Sequence, residues 1–422
     1  MLHKRFEGNF LKYLLFLLIT CNLFAVDATV KIEKDVENRT RIALVDGSSV
    51  PNSAFFKILQ SDLKISGHFL ADKTHHKGDM NSNYLLPSLK NQEYVLKYSL
   101  TQERQIKLLI RLMKSSESTE VFKKSYTITA KEKIPFLAHK AVSDINTVLK
   151  YPDISWINRY VIYARYTTPK KSEIVLADYT FSYQKSIIRG GLNLFPKWAD
   201  KEQKHFYYSA YGGLKPVLYK MNIYTGKRTK ITASEGMLVC SDVRKDGKKL
   251  LLTMAPEGQA DIYEFDLSSK RAKRVTKFKG IDVKGKYVDD ESSIVFVSDR
   301  LGYANIFKKS LFSGSVSQAV YHGRNNNAVD TDGNKIVYAS RESQKSFGNN
   351  RFNIYLATSD TATTRPLTTT GTNQFPLFSF GGTVVLYIKH HGRKSSVGYI
   401  NLESQQSLLF PLSGRKVQSI DW

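Results

Sequence analysis

Apolar positions fall into two regimes along the chain. Over residues 29–149 they mix strand-like and helical spacing; beyond Tyr151 the helical period vanishes and short strand-like runs recur to the end. In the first regime, residues 30–32 and 41–45 read as short strands. Pro51-Asn52-Ser53 then caps a helix whose Phe56, Leu59 and Leu63 share a face, with Gly67 as its stop. Residues 94–100, 106–112 and 122–128 are three strand candidates joined by polar connections, which predicts an antiparallel meander. A second helix over 134–149 places Ala138, Val142, Ile145 and Leu149 on one stripe and Lys140, Ser143 and Asp144 opposite. Two helices over one sheet face predict a small α/β domain spanning residues 26–150.

The second regime is a repeat. Ile174-Val175, Leu218-Tyr219, Ile262-Tyr263, Ile306-Phe307, Ile354-Tyr355 and Gly398-Tyr399 recur at intervals of about 44, 44, 44, 48 and 44 residues, the length of a four-stranded propeller blade. Each is preceded by an apolar strand, such as 294–298 or 336–340. Five of these strands follow a segment containing a turn; Asp246-Gly247 and Asp332-Gly333 are two-residue hairpin signals, because Gly takes positive φ without strain. The first repeat lacks an initial segment, while residues 417–422 form such a segment with nothing after it. The predicted architecture for 151–422 is therefore an all-β six-bladed β-propeller whose C-terminal strand closes blade one and covers its open edge.

Composition agrees. Among 422 residues, 41% are hydrophobic and 12% aromatic, which excludes a disordered chain. Residues 1–25 read as a cleaved signal peptide: His3-Lys4-Arg5 and Lys12 precede an apolar run too short to span a bilayer, with cleavage sites after Ala25 or Ala28. This predicts export to the periplasm without a membrane span. One cysteine, Cys240, then remains; beside Leu238 and Val239 it reads as a buried small side chain. The formal charge is +25, or about +23 without the signal. Such a field attracts acidic partners. Yet Lys and Arg are spread over nearly every loop, and no nucleic-acid-binding signature accompanies them, so no nucleic-acid partner is expected.

The repeats, together with residues 52–69 (Asn52-Ser53-Ala54-Phe55-Phe56 through Asp62-Leu63-Lys64-Ile65-Ser66-Gly67-His68-Phe69), resemble the TolB family over essentially the whole mature chain. Departures are visible: only Pro196-Lys197-Trp198 keeps the family's Pro-x-Trp, and no repeat keeps Trp-Ser-Pro-Asp-Gly. The resemblance implies a non-enzymatic, monomeric periplasmic scaffold of the Tol-Pal system. Such a scaffold links TolA and the inner-membrane Tol complex to Pal, the peptidoglycan-associated lipoprotein of the outer membrane, for envelope integrity and constriction at division. It further implies that Pal docks on one propeller mouth and that an N-terminal segment, here residues 26–35 with Val30, Lys31 and Ile32 as an added strand, engages TolA.

Mouth candidates are the polar residues just before the innermost strands: Asn193, His322, Asn325, Asn326, Asn327, Asn373 and Gln374, whose two-way hydrogen bonding suits a protein ligand, and Arg324, which suits a carboxylate. Trp198 and Trp422 read as packing between blades. Members of the family hold a metal ion in the channel, but Asp330 and Asp332 alone are not a ligand set, so no metal or cofactor is expected. His75-His76 lacks further ligands nearby in sequence. Neither a Gly-x-Ser-x-Gly elbow nor a His-Glu-x-x-His motif occurs, so no catalytic residues are assigned. Two alternatives stay open: a propeller enzyme with unrecognised chemistry, and a basic cell-wall-binding module.

Overall fold

In the computed structural model, the described residues are 39–342, 351–360, 363–391, 394–412 and 416–422. The predicted signal segment and Val30, Lys31 and Ile32 lie outside them. The N-terminal region starts with β1 (Thr40–Asp46), followed by α1 (Ser53–Ser66), β2 (Phe69–Ala71), β3 (His76–Lys77), β4 (Tyr94–Gln102), β5 (Ile106–Lys114), β6 (Thr119–Ile128) and α2 (Ile134–Val148). The β4-β5-β6 meander is antiparallel, whereas β1 lies parallel to β4, β2 and β3. The sheet is thus mixed. Both helices fall where the apolar spacing predicts them. Asn52 caps α1 by accepting the Phe55 N–H at 3.0 Å, and Gly67 ends it in the left-handed region at φ 84°.

Six four-stranded antiparallel sheets follow. Their inner strands are Val417–Asp421 for blade one, then Asn193–Trp198, Leu238–Val243, Asp282–Val288, Arg324–Asp332 and Thr372–Phe378 for blades two to six. Blade one is closed by the chain end, with Val417 opposite Arg165 and Asp421 opposite Ile162. Trp422 then packs edge-on against Trp156 and Tyr399 at 5.4 and 5.5 Å, and Trp198 sits edge-on to Phe206 at 6.3 Å. Every inner strand carries a bulge beside its partner. In blades two, four, five and six the bulge holds a non-glycine residue at φ 53–56°: Phe195, Lys284, Ala328 and Phe375. Each bulge breaks the period of two, so the strand turns side chains toward the axis that a regular ladder would not.

The two regions share one apolar core, in which Phe55, Leu59 and Leu63 of α1 and Val142 of α2 join Trp156, Tyr179, Tyr399 and Trp422. Polar contacts fix the seat. Asn401 donates to the Ile65 and Ser66 carbonyls at 3.2 and 3.3 Å. Deeper in, His139 of α2 lies between Asp62 of α1 (Nδ1–Oδ2 2.8 Å) and Asp178 of blade one (Nε2–Oδ2 3.1 Å), all three fully buried. Tyr179 donates to Asp62, and the Thr180 and Tyr183 N–H groups donate to Asp178 at 2.9 and 2.6 Å. With a carboxylate at each ring nitrogen, only the doubly protonated imidazole satisfies both. Burial alone would depress its pKa; the two carboxylates overcome that and raise it to about 9.

Candidate functional site at the propeller mouth

The start-side mouth is built by the beginnings of the inner strands, the loops from second to third strands, and the connections between blades. The sequence-predicted residues gather there, but within the inner strands rather than ahead of them: Asn193, Arg324 to Asn327, Asn373 and Gln374 are strand residues, and only His322 precedes its strand. Three of them turn away from any ligand. Asn193 is buried and donates to the Gly190 carbonyl at 2.6 Å. Asn326 is fully buried and donates to Asn305 Oδ1 and the His322 carbonyl at 2.8 and 2.7 Å. Asn373, also fully buried, donates to Asn353 Oδ1 and the Thr370 carbonyl at 3.1 and 3.0 Å. These amides brace each inner strand against its own approach loop, and the latter two also tie it to the preceding blade. Their recurrence at one blade position is a folding requirement, since a buried polar group must be paired.

The others remain at the mouth. Arg324 is exposed, its guanidinium 5.4 Å from the Tyr303 ring centre. His322 is half-buried against Tyr355 at 4.2 Å, and Asn325, Asn327 and Gln374 are partly accessible. A shallow rim pocket joins His322, Arg324 and Asn325 to Tyr303, Tyr321 and Arg341.

Sequence reasoning missed the apolar half of this rim. Leu214, Met237, Ile281, Leu301 and Tyr321 are all exposed on the same mouth. They sit in loops, where no periodicity marks them; the signal was a large apolar side chain recurring where turns usually place polar ones. Basic side chains at Lys170, Lys277, Lys279, Arg324 and Lys416 are exposed around them.

Below the mouth a cavity of about 350 Å³ runs down the axis, lined by Phe195, Met237, Val239, Val283 and Phe375 among others. It ends on a ring contributed by one residue per blade after each bulge: Asp421, Lys197, Asp242, Lys286, Asp330 and Leu377 in blade order. Lys197 contacts Asp421 at 2.9 Å and Asp242 at 3.8 Å, and Lys286 contacts Asp330 at 2.8 Å and Asp242 at 4.0 Å. Each aspartate also accepts a backbone N–H from the next blade: Asp421 from Trp198, Asp242 from Tyr287 and Asp330 from Phe378, at 2.8, 3.0 and 2.9 Å. Burial opposes the charge on Asp330, but Lys286 and Lys197 outweigh it and hold its carboxyl below the usual range. The ring is an inter-blade brace. Its carboxylates, Asp330 among them, are already engaged, Asp332 lies outside the ring and pairs with Lys335 at 3.7 Å, and among the described residues no three His, Cys, Asp or Glu side chains converge as a cation site.

Other candidates resolve structurally. His75 bonds Asp46 and His76 bonds Asp72, both at 2.9 Å. Cys240 is buried, and burial pushes its thiol pKa well up, so it is no nucleophile.

Known proteins match this arrangement. Residues 156–422 match the family model for the TolB beta propeller domain. The Tol-Pal system protein TolB of Wolinella succinogenes is 45% identical over 410 residues, covering 95% of this chain and 97% of that protein. The chain belongs to the TolB family. The Helicobacter pylori TolB is 39% identical over 420 residues, covering 98% of this TolB-family chain and 100% of its own length. A crystal structure of TolB from Acinetobacter baumannii shares the fold, with a TM-score of 0.74 at 23% identity over 90% of this chain and 96% of that one. Among the described residues, no helix is long and apolar enough to cross a membrane.

Proposed function

We propose that this chain is a non-enzymatic periplasmic scaffold that binds Pal at the start-side propeller mouth and TolA through residues 26–35. It thereby joins the inner-membrane Tol complex to the outer membrane during envelope constriction. The observation that carries the reading is the mouth itself: five exposed large apolar side chains among exposed cations, around a channel whose lower end is braced shut by ion pairs. Apolar anchors with a charged rim suit a protein partner better than a small substrate.

Calorimetric titration of the mature chain with Pal tests it. Leu214→Asp combined with Tyr321→Asp is expected to weaken Pal binding at least about tenfold, the scale of losing interface anchors, with the thermal midpoint unmoved. Absence of Pal binding by the unaltered chain refutes the docking reading. Deleting residues 26–35 is expected to abolish TolA association and spare Pal binding; retained TolA binding refutes that assignment.

A further inference from the structure

Among the described residues, one cation lining the channel pairs with no carboxylate. Lys284 occupies the bulge of blade four, two residues above Lys286 and at the level where blades two, five and six place Phe195, Ala328 and Phe375. Its backbone N–H donates to Thr253 at 3.1 Å, but among the described residues no carboxylate pairs with its ammonium. Lys197 and Lys286, by contrast, are both held by ring aspartates. Channel water reaches the Lys284 side chain, yet the blades surround it with the apolar walls of Met237, Val239, Val283 and Phe375. That enclosure, and then the charge of Lys286, push its ammonium down to about 8. The unpaired ammonium is exposed to the channel between apolar walls and contributes nothing to the brace below it. An apolar residue, as in the three equivalent bulges, would satisfy the fold better. Among the described residues the fold supplies no countercharge, and the cavity above Lys284 is open toward the mouth and large enough for a side chain.

We propose that Lys284 is an anion anchor inside the channel, receiving a carboxylate that a docked acidic partner inserts from the start-side mouth. The source of the carboxylate rests on the docking reading above; the site itself does not. In the apolar cavity an ammonium–carboxylate contact is stronger than at the rim, so a single inserted Asp or Glu fixes the partner's register over the axis.

Two measurements on the full mature chain separate site from source. In the first, the Lys284 Nζ resonance, assigned by its absence in Lys284→Met, is titrated with acetate against chloride at matched ionic strength. The expected result is a rise of its titration midpoint toward that of ordinary lysine with acetate only. In the second, Pal is titrated against the unaltered chain, Lys284→Met and Lys284→Arg. Lys284→Met is expected to bind about tenfold more weakly, the scale of one charge-assisted hydrogen bond, with Lys284→Arg recovering part of it. The thermal midpoint of Lys284→Met should equal or exceed that of the unaltered chain, because no internal partner is lost; a lowered midpoint shows that Lys284 serves the fold and overturns the proposal. An acetate response with unchanged Pal affinity supports the anion site and assigns it to a free carboxylate instead of an inserted side chain. No response in either measurement overturns the proposal. Failure of the unaltered chain to bind Pal removes the docking reading and leaves the acetate measurement to decide the site.

Discussion

Replacing His139 by leucine tests the seat between the N-terminal region and the propeller. The imidazole joins three elements, α1, α2 and blade one, through Asp62 and Asp178 at 2.8 and 3.1 Å. Leucine leaves two carboxylates in a fully buried site, and breaking a buried ion pair on one side costs roughly 3–5 kcal/mol. Asp62 limits the loss, because burial already raises its carboxyl while His139 and Tyr179 pull it back, so it can take up a proton once the imidazolium is gone.

The pH dependence is more diagnostic than the loss itself. The folded pKa of about 9 lies above the ordinary histidine value of 6.5. A raised folded pKa means the stabilisation is fully present below pH 6.5 and is lost as pH rises through about 9. That difference corresponds to roughly 3 kcal/mol. Asp62, also raised, loses stability in the same direction, so its contribution adds to that of His139. Urea unfolding from pH 6 to pH 10 should therefore show the unaltered chain losing stability and His139→Leu lacking most of that slope. Parallel curves for the two proteins would refute the imidazolium assignment.

Two further outcomes are expected. Removing residues 417–422 takes away the inner strand of blade one and the Trp422 contacts with Trp156 and Tyr399. It should yield aggregates in size-exclusion chromatography, because an apolar strand edge is exposed; a monomeric truncated protein with native circular dichroism would show that closure is dispensable. Gly67→Ala should lower stability by at least about 1 kcal/mol in denaturant melts, since φ is 84° and the added Cβ would lie 2.8 Å from Ser404 Oγ on blade six. An unchanged midpoint would show that the seat yields there.

How much was legible in the chain differs between fold and site. The blade count and the closure were readable because each blade repeats one apolar pattern, and a leftover first strand at one end matches a missing one at the other. Helix α1 was readable because Asn52 and Gly67 are local signals for its two ends. The parallel placement of β1 was not, since pairing partners are a long-range choice among similar apolar strands. At the mouth, His322 and Arg324 stand at accessible positions, whereas Asn193, Asn326 and Asn373 pair within the fold as internal braces. A recurring amide marks a recurring need without saying whether a ligand or the fold supplies it.

Local pattern alone thus determined the elements, the repeat and its closure, because strand period, turn residues and caps act over a few positions. Even the axial ring lies in one column of the repeat, with Lys197, Asp242, Lys286, Asp330, Leu377 and Asp421 spaced by about 44 to 47 residues. Its meaning required three dimensions. Only when the bulges turn these side chains to a common axis do alternating charges become neighbours, and only then is Lys284 seen to have none of the carboxylates. The same holds for Asp62, His139 and Asp178, which are far apart in sequence and become one buried ion cluster when two helices settle on blade one. Charge is written residue by residue, but pairing and desolvation depend on distances and burial that exist only in the folded chain.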